Sequence, residues 1–419
     1  MFFKRQVFIA ATFSLIGHSA LAEDIQEGTV LQAENYEALK NKTFEGKKIA
    51  DMLVDTQKTV IQQFNWKMKL RHNEKLPPRT GLVELTEKFK GQATIDPHTR
   101  KLQNFTTGVP FPEIDSKDPL GGIKIAYNFM RSAWSSDVAV YSPEHMLTFN
   151  GKRGMEREMT FHWQRLQATG RVKQPYTLGD GTIAKYETGV VLSPNDLRGV
   201  GTLTIQYSDG RLPDVYAYLK MVRRVRRLSS SAWGDPLSGT DFLTDETFAM
   251  NADPTWYQNW KVLGKQWILA VAHSSIKGYQ QNGSTQAERY PDILLNEAPY
   301  WNVMDTWEPR EVWVVESNPP TTHLLSKKVQ YYDADPYAPL LHWQNFYDRS
   351  GKIWRIENTN YAPVKDSSGG TSQMMLWVSG IDLQRVHATL IYYDPNWRQN
   401  MPDVNISDYT PEGLSRILK

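Results

Sequence analysis

One run of residues is dense enough in charge to meet a partner: Tyr216-Ala-Tyr-Leu-Lys-Met-Val-Arg-Arg-Val-Arg-Arg227. If it is extended, alternate side chains face opposite ways, so Arg224 and Arg226 share one face and Arg223, Val225 and Arg227 the other. Guanidinium forks grip carboxylates and phosphates with two parallel hydrogen bonds. Arg224 and Arg226 are therefore candidates to hold an anionic head group or partner at a pocket mouth. The competing reading is a solvated strand whose arginines pair with acids such as Asp241, Asp245 and Glu246. Catalytic patterns are scarce. There is no Gly-x-Ser-x-Gly elbow, no His-Glu-x-x-His helix and no phosphate-binding Gly-Lys-Ser/Thr loop. Gly199-Val-Gly201 lacks the third glycine of a dinucleotide fingerprint and reads as a strand-entry turn. His273 and Ser274 could be half of a nucleophile–base pair, but strand neighbours point apart. Asp115 with Asp118, or Asp333 with Asp335, could be imagined as calcium ligands. Both pairs sit beside prolines in turns, where Asp is expected for its backbone hydrogen bonds. Two carboxylates from distant positions, as glycosidases use, stay open. The chain has no cysteine, which removes disulfides, thiolate metal sites and thiol nucleophiles. No catalytic residue, metal or cofactor is expected.

Strands would have to position such groups. Met159 to Gln164 alternates, with Met159, Phe161 and Trp163 on one face and Thr160, His162 and Gln164 on the other. Asn150-Gly151, Asp180-Gly181, Asp209-Gly210 and Asn282-Gly283 are turn signals. Further strands are expected at 202–207, 215–222, 267–272, 311–316, 328–332, 341–347, 352–357, 374–378 and 386–392. They follow one another as hairpins and do not alternate with helices, which points to a large antiparallel sheet. Helical patterns lie at both ends. One covers 33–40. A second, 45–64, carries Ile49, Met52, Leu53, Thr56, Val60 and Phe64 as a stripe. A third follows Thr410 as N-cap and Pro411 at its first position, with Leu414, Ile417 and Leu418 on one face. The segment 366–372 reads as a flexible loop. No repeat or domain boundary is evident.

The first residues read as a secretory signal over 1–22. Lys4 and Arg5 give a basic start, Val7 to Ile16 an apolar run too short for a span, and Ser19 to Ala22 a small-residue cleavage site. A single domain over 23–419 in the Gram-negative periplasm is expected, and with no cysteine it is not a lipoprotein. The net charge of +2 is nearly balanced, which argues against a nucleic-acid partner, as does export. The 14 Trp, 20 Tyr and 15 Phe suit strands and half-wet apolar surfaces.

Several pieces in order carry a resemblance. They are Gly28-Thr-Val, Pro110-Phe-Pro-Glu-Ile-Asp115 with Asp118-Pro119, Lys124, Tyr127-Asn128 and Gly154-Met-Glu-Arg157. Tyr216 to Leu219, the paired arginines, Gly239-Thr-Asp-Phe242 and Asp245-Glu246 follow. Trp260 to Gly264, Arg310 to Glu316 and Tyr347 to Trp354 complete the set. The chain resembles the outer-membrane lipoprotein-sorting proteins, and among them the family called domain of unknown function 1329. It departs at Lys220, where that family has proline. The resemblance implies an α+β, mainly antiparallel fold: a large curved, incompletely closed β-barrel similar to LolA and LolB, with helices over its open side. It implies an apolar concave face that takes acyl chains. It also implies a periplasmic carrier for a lipid, a lipoprotein acyl chain or a sterol-like compound, working with an inner-membrane transporter of the resistance-nodulation-division type and the outer membrane. Pocket residues are expected on alternating strands at Phe161, Trp163, Tyr218, Trp313 and Trp343. Two other functions stay open: an accessory subunit of a transporter without its own ligand, and a periplasmic carbohydrate-active enzyme.

Overall fold

A computed structural model of the chain describes residues 24–219, 224–229, 233–237, 239–401 and 405–417. The expected signal peptide lies outside the described residues, as do Lys220, Arg223 and Leu418.

Two meanders make the sheet. Val138–Asn150, Gly154–Gln167, Ile183–Ser193, Gly201–Tyr207, Asp214–Leu219 and Arg224–Leu228 pair antiparallel in chain order. So do Asn259–Ala270, Thr306–Asn318, Leu325–Asp333, Leu341–Asp348, Ile353–Lys365, Thr371–Asp382 and His387–Tyr392. His387–Tyr392 then pairs with Val138–Asn150 and welds both into one 16-stranded sheet. Met68–Leu70 beside Thr306–Asn318 is its parallel pair. The sheet is not closed into a barrel, and Arg224–Leu228 ends one side. Asn150-Gly151 and Asp209-Gly210 turn hairpins, Asp180-Gly181 ends the longer connection into Ile183–Ser193, and Asn282-Gly283 is a turn ahead of the short helix Gln286–Arg289. The segment 366–372 is mostly the turn that returns Ile353–Lys365 as Thr371–Asp382.

Two long strands, Val138–Asn150 and Ile183–Ser193, escaped the sequence reading. Pro143 interrupts the first, and proline has no N–H for a ladder. The strand absorbs it in a bulge between Tyr141 and Glu144. On the other side, His387–Tyr392 pairs only from His145 onward, and Arg398–Gln399 pairs back at Ala139 and Val140. The proline therefore sits where no neighbour needs its hydrogen. The second strand buries Lys185 and Glu187 among apolar residues, which hides its alternation.

The expected helix over 45–64 is broken. Glu45 and Gly46 adopt φ of +51° and +70° and turn a small hairpin between Thr43–Phe44 and Lys47–Lys48. A 3₁₀ turn, Ile49–Met52, precedes the helix Asp55–Phe64. Val54 stays extended, its N–H held by Gln57 Oε1 at 3.1 Å, which caps the later helix. The apolar stripe survives the break: Ile49, Met52, Leu53, Thr56 and Val60 are all buried. Ala33–Leu39 and Pro411–Ile417 form as read, and Thr410 Oγ1 accepts from Gly413 N at 2.9 Å. Leu82–Phe89 and Gly121–Arg131 are helices that the sequence did not announce.

Both sheet faces are covered. On one, Trp66 packs against Trp307, Trp343 and Trp377 at ring separations of 6.2, 6.4 and 6.3 Å. Much of the tryptophan content therefore fills core. The other face lies under Gly121–Arg131 and a strap, residue 237 and residues 239–250, that runs over the junction of the two meanders.

Candidate functional site

Alternation along Gly154–Gln167 turns Arg157, Met159, Phe161 and Trp163 to one face, and all four line a cavity of about 380 Å³. Glu144 and Met146 of the neighbouring strand, Val191 and Gly189 beyond, and Leu237, Gly239 and Thr240 of the strap complete much of its wall. Trp163 lies directly opposite Gly189. A Cβ at Gly189 would come within 2.7 Å of the indole, so only glycine lets the ring lie flat on the sheet. Glu144, Met146, Trp163 and Leu237 also border a smaller cavity, which continues past Tyr141, Phe248, Met375 and Trp377. Beyond Phe248 a third space ends at Arg165 and Lys185. Phe248 stands between them, 5.5 Å from Trp163 and 5.6 Å from Tyr141, with Arg165 over its ring. Phe248 and Ala249 hold φ of +56° and +67°, strained for residues with a Cβ.

The strap is pinned by charge. Glu246 takes both guanidinium nitrogens of Arg355 at 2.8 Å. Asp245 accepts from Lys328 Nζ and Tyr257 Oη, each at 2.7 Å. Asp241 meets His387 Nδ1 and Thr389 Oγ1, also at 2.7 Å each. Burial alone would raise the Asp245 carboxyl, but Lys328 and His323 outweigh it and hold it below the ordinary range. Arg355 is lowered by burial and raised further by Glu246, with a net rise. Glu357, buried beside Glu246, is pushed well above the usual carboxylate range. The ring of Phe242 fills the space a side chain at Gly380 would need, 2.8 Å from that Cβ position. Inside the cavity, burial pushes the Glu144 carboxyl up to about 8, against a smaller opposing pull from His145.

The residues expected to line a pocket separate. Phe161 and Trp163 meet in the cavity. Tyr218 is buried in a different cluster, with Leu203, Tyr186 and Tyr409. Trp313 borders a space beside Asp333 and Pro336, with Lys265 over its ring at 4.5 Å. Trp343 is 1% exposed and donates to Thr56 Oγ1 at 2.9 Å. Arg224 and Arg226 are exposed on the edge strand and border none of these cavities. The acids offered as partners for the arginine run are taken by Lys328, Arg355 and His387 instead, and Arg227 pairs with Asp214. Sequence reasoning missed Glu144 and Arg157 as cavity residues, although Arg157 follows from the alternation that found Phe161.

Other candidate chemistry is tied up elsewhere. His273 Nδ1 meets Glu308 at 2.9 Å, while the Ser274 hydroxyl donates to Asp305, so the two do not form a pair. Asp115, Asp118 and Asp335 accept backbone N–H groups in turns, and Asp333 meets Arg310 and His342. Among the described residues, no group of three or more His, Asp or Glu is arranged to hold a metal.

The model of the family described as protein of unknown function DUF1329 matches residues 32–415. The chain belongs to the DUF1329 family. A solved DUF1329 protein from Desulfovibrio piger is 15% identical, covering 71% of this chain and 100% of its own, with a TM-score of 0.48. An outer membrane lipoprotein-sorting protein domain from Vibrio parahaemolyticus is 18% identical over 70% of this chain and 98% of its own, TM-score 0.46. A LolA superfamily protein from Nitrosomonas europaea is 13% identical over 67% and 92%, TM-score 0.38. No curated protein matches the chain. In this DUF1329 chain several motif residues act as ties. Asp241, Asp245 and Glu246 anchor the strap, and Asn128 clamps Phe111 through both its N–H and its carbonyl, at 2.9 and 2.7 Å.

Proposed function

We propose that this protein binds a hydrophobic molecule in the cavity beneath the strap and carries it through the periplasm. In this reading residues 1–22 are the export signal and 23–419 fold as one domain. The observation that carries it is the cavity itself: Met146, Met159, Phe161, Trp163, Val191 and Leu237 give it an apolar wall, with few polar groups among them. Pockets of this size and lining suit small hydrophobic ligands. Burying a ten-carbon chain there is worth about 8 kcal/mol, at ~0.8 kcal/mol per CH₂, before ordering and association costs. Among the described lining residues the cavity carries one carboxyl, Glu144, whereas glycoside hydrolysis uses a facing pair. This favours binding over hydrolysis. Delivery to an envelope transporter or the outer membrane belongs to the same proposal.

The test is native mass spectrometry of protein purified from the periplasm, followed by organic extraction. A bound species of defined mass is the expected result. A clean apo mass, with no uptake from offered phospholipids, fatty acids or sterols after delipidation, would overturn the reading.

A further inference from the structure

We infer that Glu144 is the selective group of the cavity, and that the ligand is an uncharged hydrophobic molecule whose single hydroxyl or carbonyl oxygen that carboxyl hydrogen-bonds. The inference rests on the binding reading above and narrows it to a ligand class.

Glu144 is 5% exposed, and its carboxyl makes no hydrogen bond to another described residue, its oxygens keeping contact with the cavity space. It borders both the larger and the smaller cavity, beside Met146, Trp163 and Leu237. A buried polar group with no partner is costly, and apolar residues would fill this place more cheaply. The backbone puts it there by a specific device. Tyr141 and Glu144 are three apart and would face opposite ways in a regular strand. The bulge between them turns both into the smaller cavity. Bulges re-aim side chains in this manner near functional sites. The indole N–H of Trp163, in the same wall, is buried without a partner.

The charge of the surroundings selects the ligand. With its titration pushed up to about 8, Glu144 is an acid, not an anion, at neutral pH. A neutral carboxyl donates one hydrogen bond and accepts others, which suits an alcohol or a ketone. His145 points to the opposite face, toward Asp394 and Glu158. Arg157 is four residues from Phe161, the partner of Glu144, or roughly 13 Å along the strand. Tyr141 faces the same cavity and stays neutral, its phenol raised by burial. The strap residues Leu237, Thr247 and Phe248, and Met375 to Val378 across the cavity, bring no charge. An alkylammonium or carboxylate ligand would have to leave water without a facing counter-ion at this point.

Delipidated protein is titrated with 1-decanol, 2-decanone, decanoic acid and, as an oxygen-free control, naphthalene. Glu144→Leu is expected to weaken decanol and decanone roughly two- to tenfold and to leave naphthalene unchanged. Glu144→Gln, close in shape, should keep both. In the wild type, decanone should weaken several-fold between pH 6.5 and pH 9 as the acid loses its proton. Decanol, which can donate to the carboxylate, should not. If Glu144→Leu binds every probe like the wild type, this inference fails and the carrier reading stands. Decanoic acid binding more tightly than decanol in wild type and Glu144→Leu alike would assign the polar end to Arg157 and overturn it. No uptake of any probe, naphthalene included, overturns both.

Discussion

Glu144 shows how one side chain can couple a cavity to pH. Its folded titration lies at about 8, above the unfolded carboxylate value of 4.5. Between those two values the folded chain holds a proton that the unfolded chain has lost, so stability falls as pH rises through that window. Glu144→Gln should remove this dependence, raising the melting temperature at pH 9 and changing little at pH 4. Equal shifts at both pH values would show that the carboxyl is not perturbed. His387 works with the opposite charge and the same sign. Its hydrogen bond to Asp241 raises its titration above the ordinary 6.5, against burial. The stabilisation it gives the strap is complete below 6.5 and lost as pH rises through the raised value. His387→Gln should therefore cost more stability at pH 5.5 than at pH 9, read by denaturant unfolding at both. Neither residue stood out in the sequence. Glu144 follows a proline inside a strand, and the partner of His387 lies 146 positions away.

At the scale of elements, the strap is the piece that a sequence pattern described without explaining. Gly239-Thr-Asp-Phe242 and Asp245-Glu246 belong to the motif that carries the family resemblance, and the fold gives Asp241, Phe242, Asp245 and Glu246 each a contact on the sheet beneath. Arg355→Ala would take from buried Glu246 its two-pronged guanidinium partner, leaving it the Leu243 N–H at 2.7 Å and Lys328 Nζ at 3.8 Å. The expected cost is ~3–5 kcal/mol in chemical denaturation, with faster proteolytic cleavage within residues 239–250. Unchanged cleavage would mean that Phe242, Lys328 and the contacts of Asp241 hold the strap without Arg355. The wall strand offers a second test. Gly189→Val would drive the Trp163 ring off the sheet and into the cavity, because even a Cβ there meets the indole at 2.7 Å. Uptake of a hydrophobic probe should fall several-fold while the antiparallel sheet persists, as read by circular dichroism. Arg224, Arg226 and Arg227 lie on the edge strand, where charge also guards an exposed ladder against pairing with other chains.

For the molecule as a whole, a ligand that binds only the folded chain must raise its apparent stability. At a hundredfold excess over its dissociation constant that gain is about 2.7 kcal/mol, measurable as a melting shift that depends on ligand concentration. The antiparallel class, the hairpin order, the inward face of Gly154–Gln167 and the terminal helices were settled by the chain itself. Each depends on local rules: alternation, turn pairs and caps act over a few residues. The sequence reading also carried the family, through many weak pieces in a fixed order. What the tertiary structure alone decided involves residues far apart. The pairing of His387–Tyr392 with Val138–Asn150 joins the two meanders through strands more than 200 residues apart in the chain, and local pattern holds no record of it. The same junction determines which aromatics line a cavity and which fill core. Trp163 and Trp343 look alike in a strand pattern, yet one borders open space and the other is sealed beneath Thr56. A strand reveals which side chains share a face, but only the packed layers reveal what that face meets.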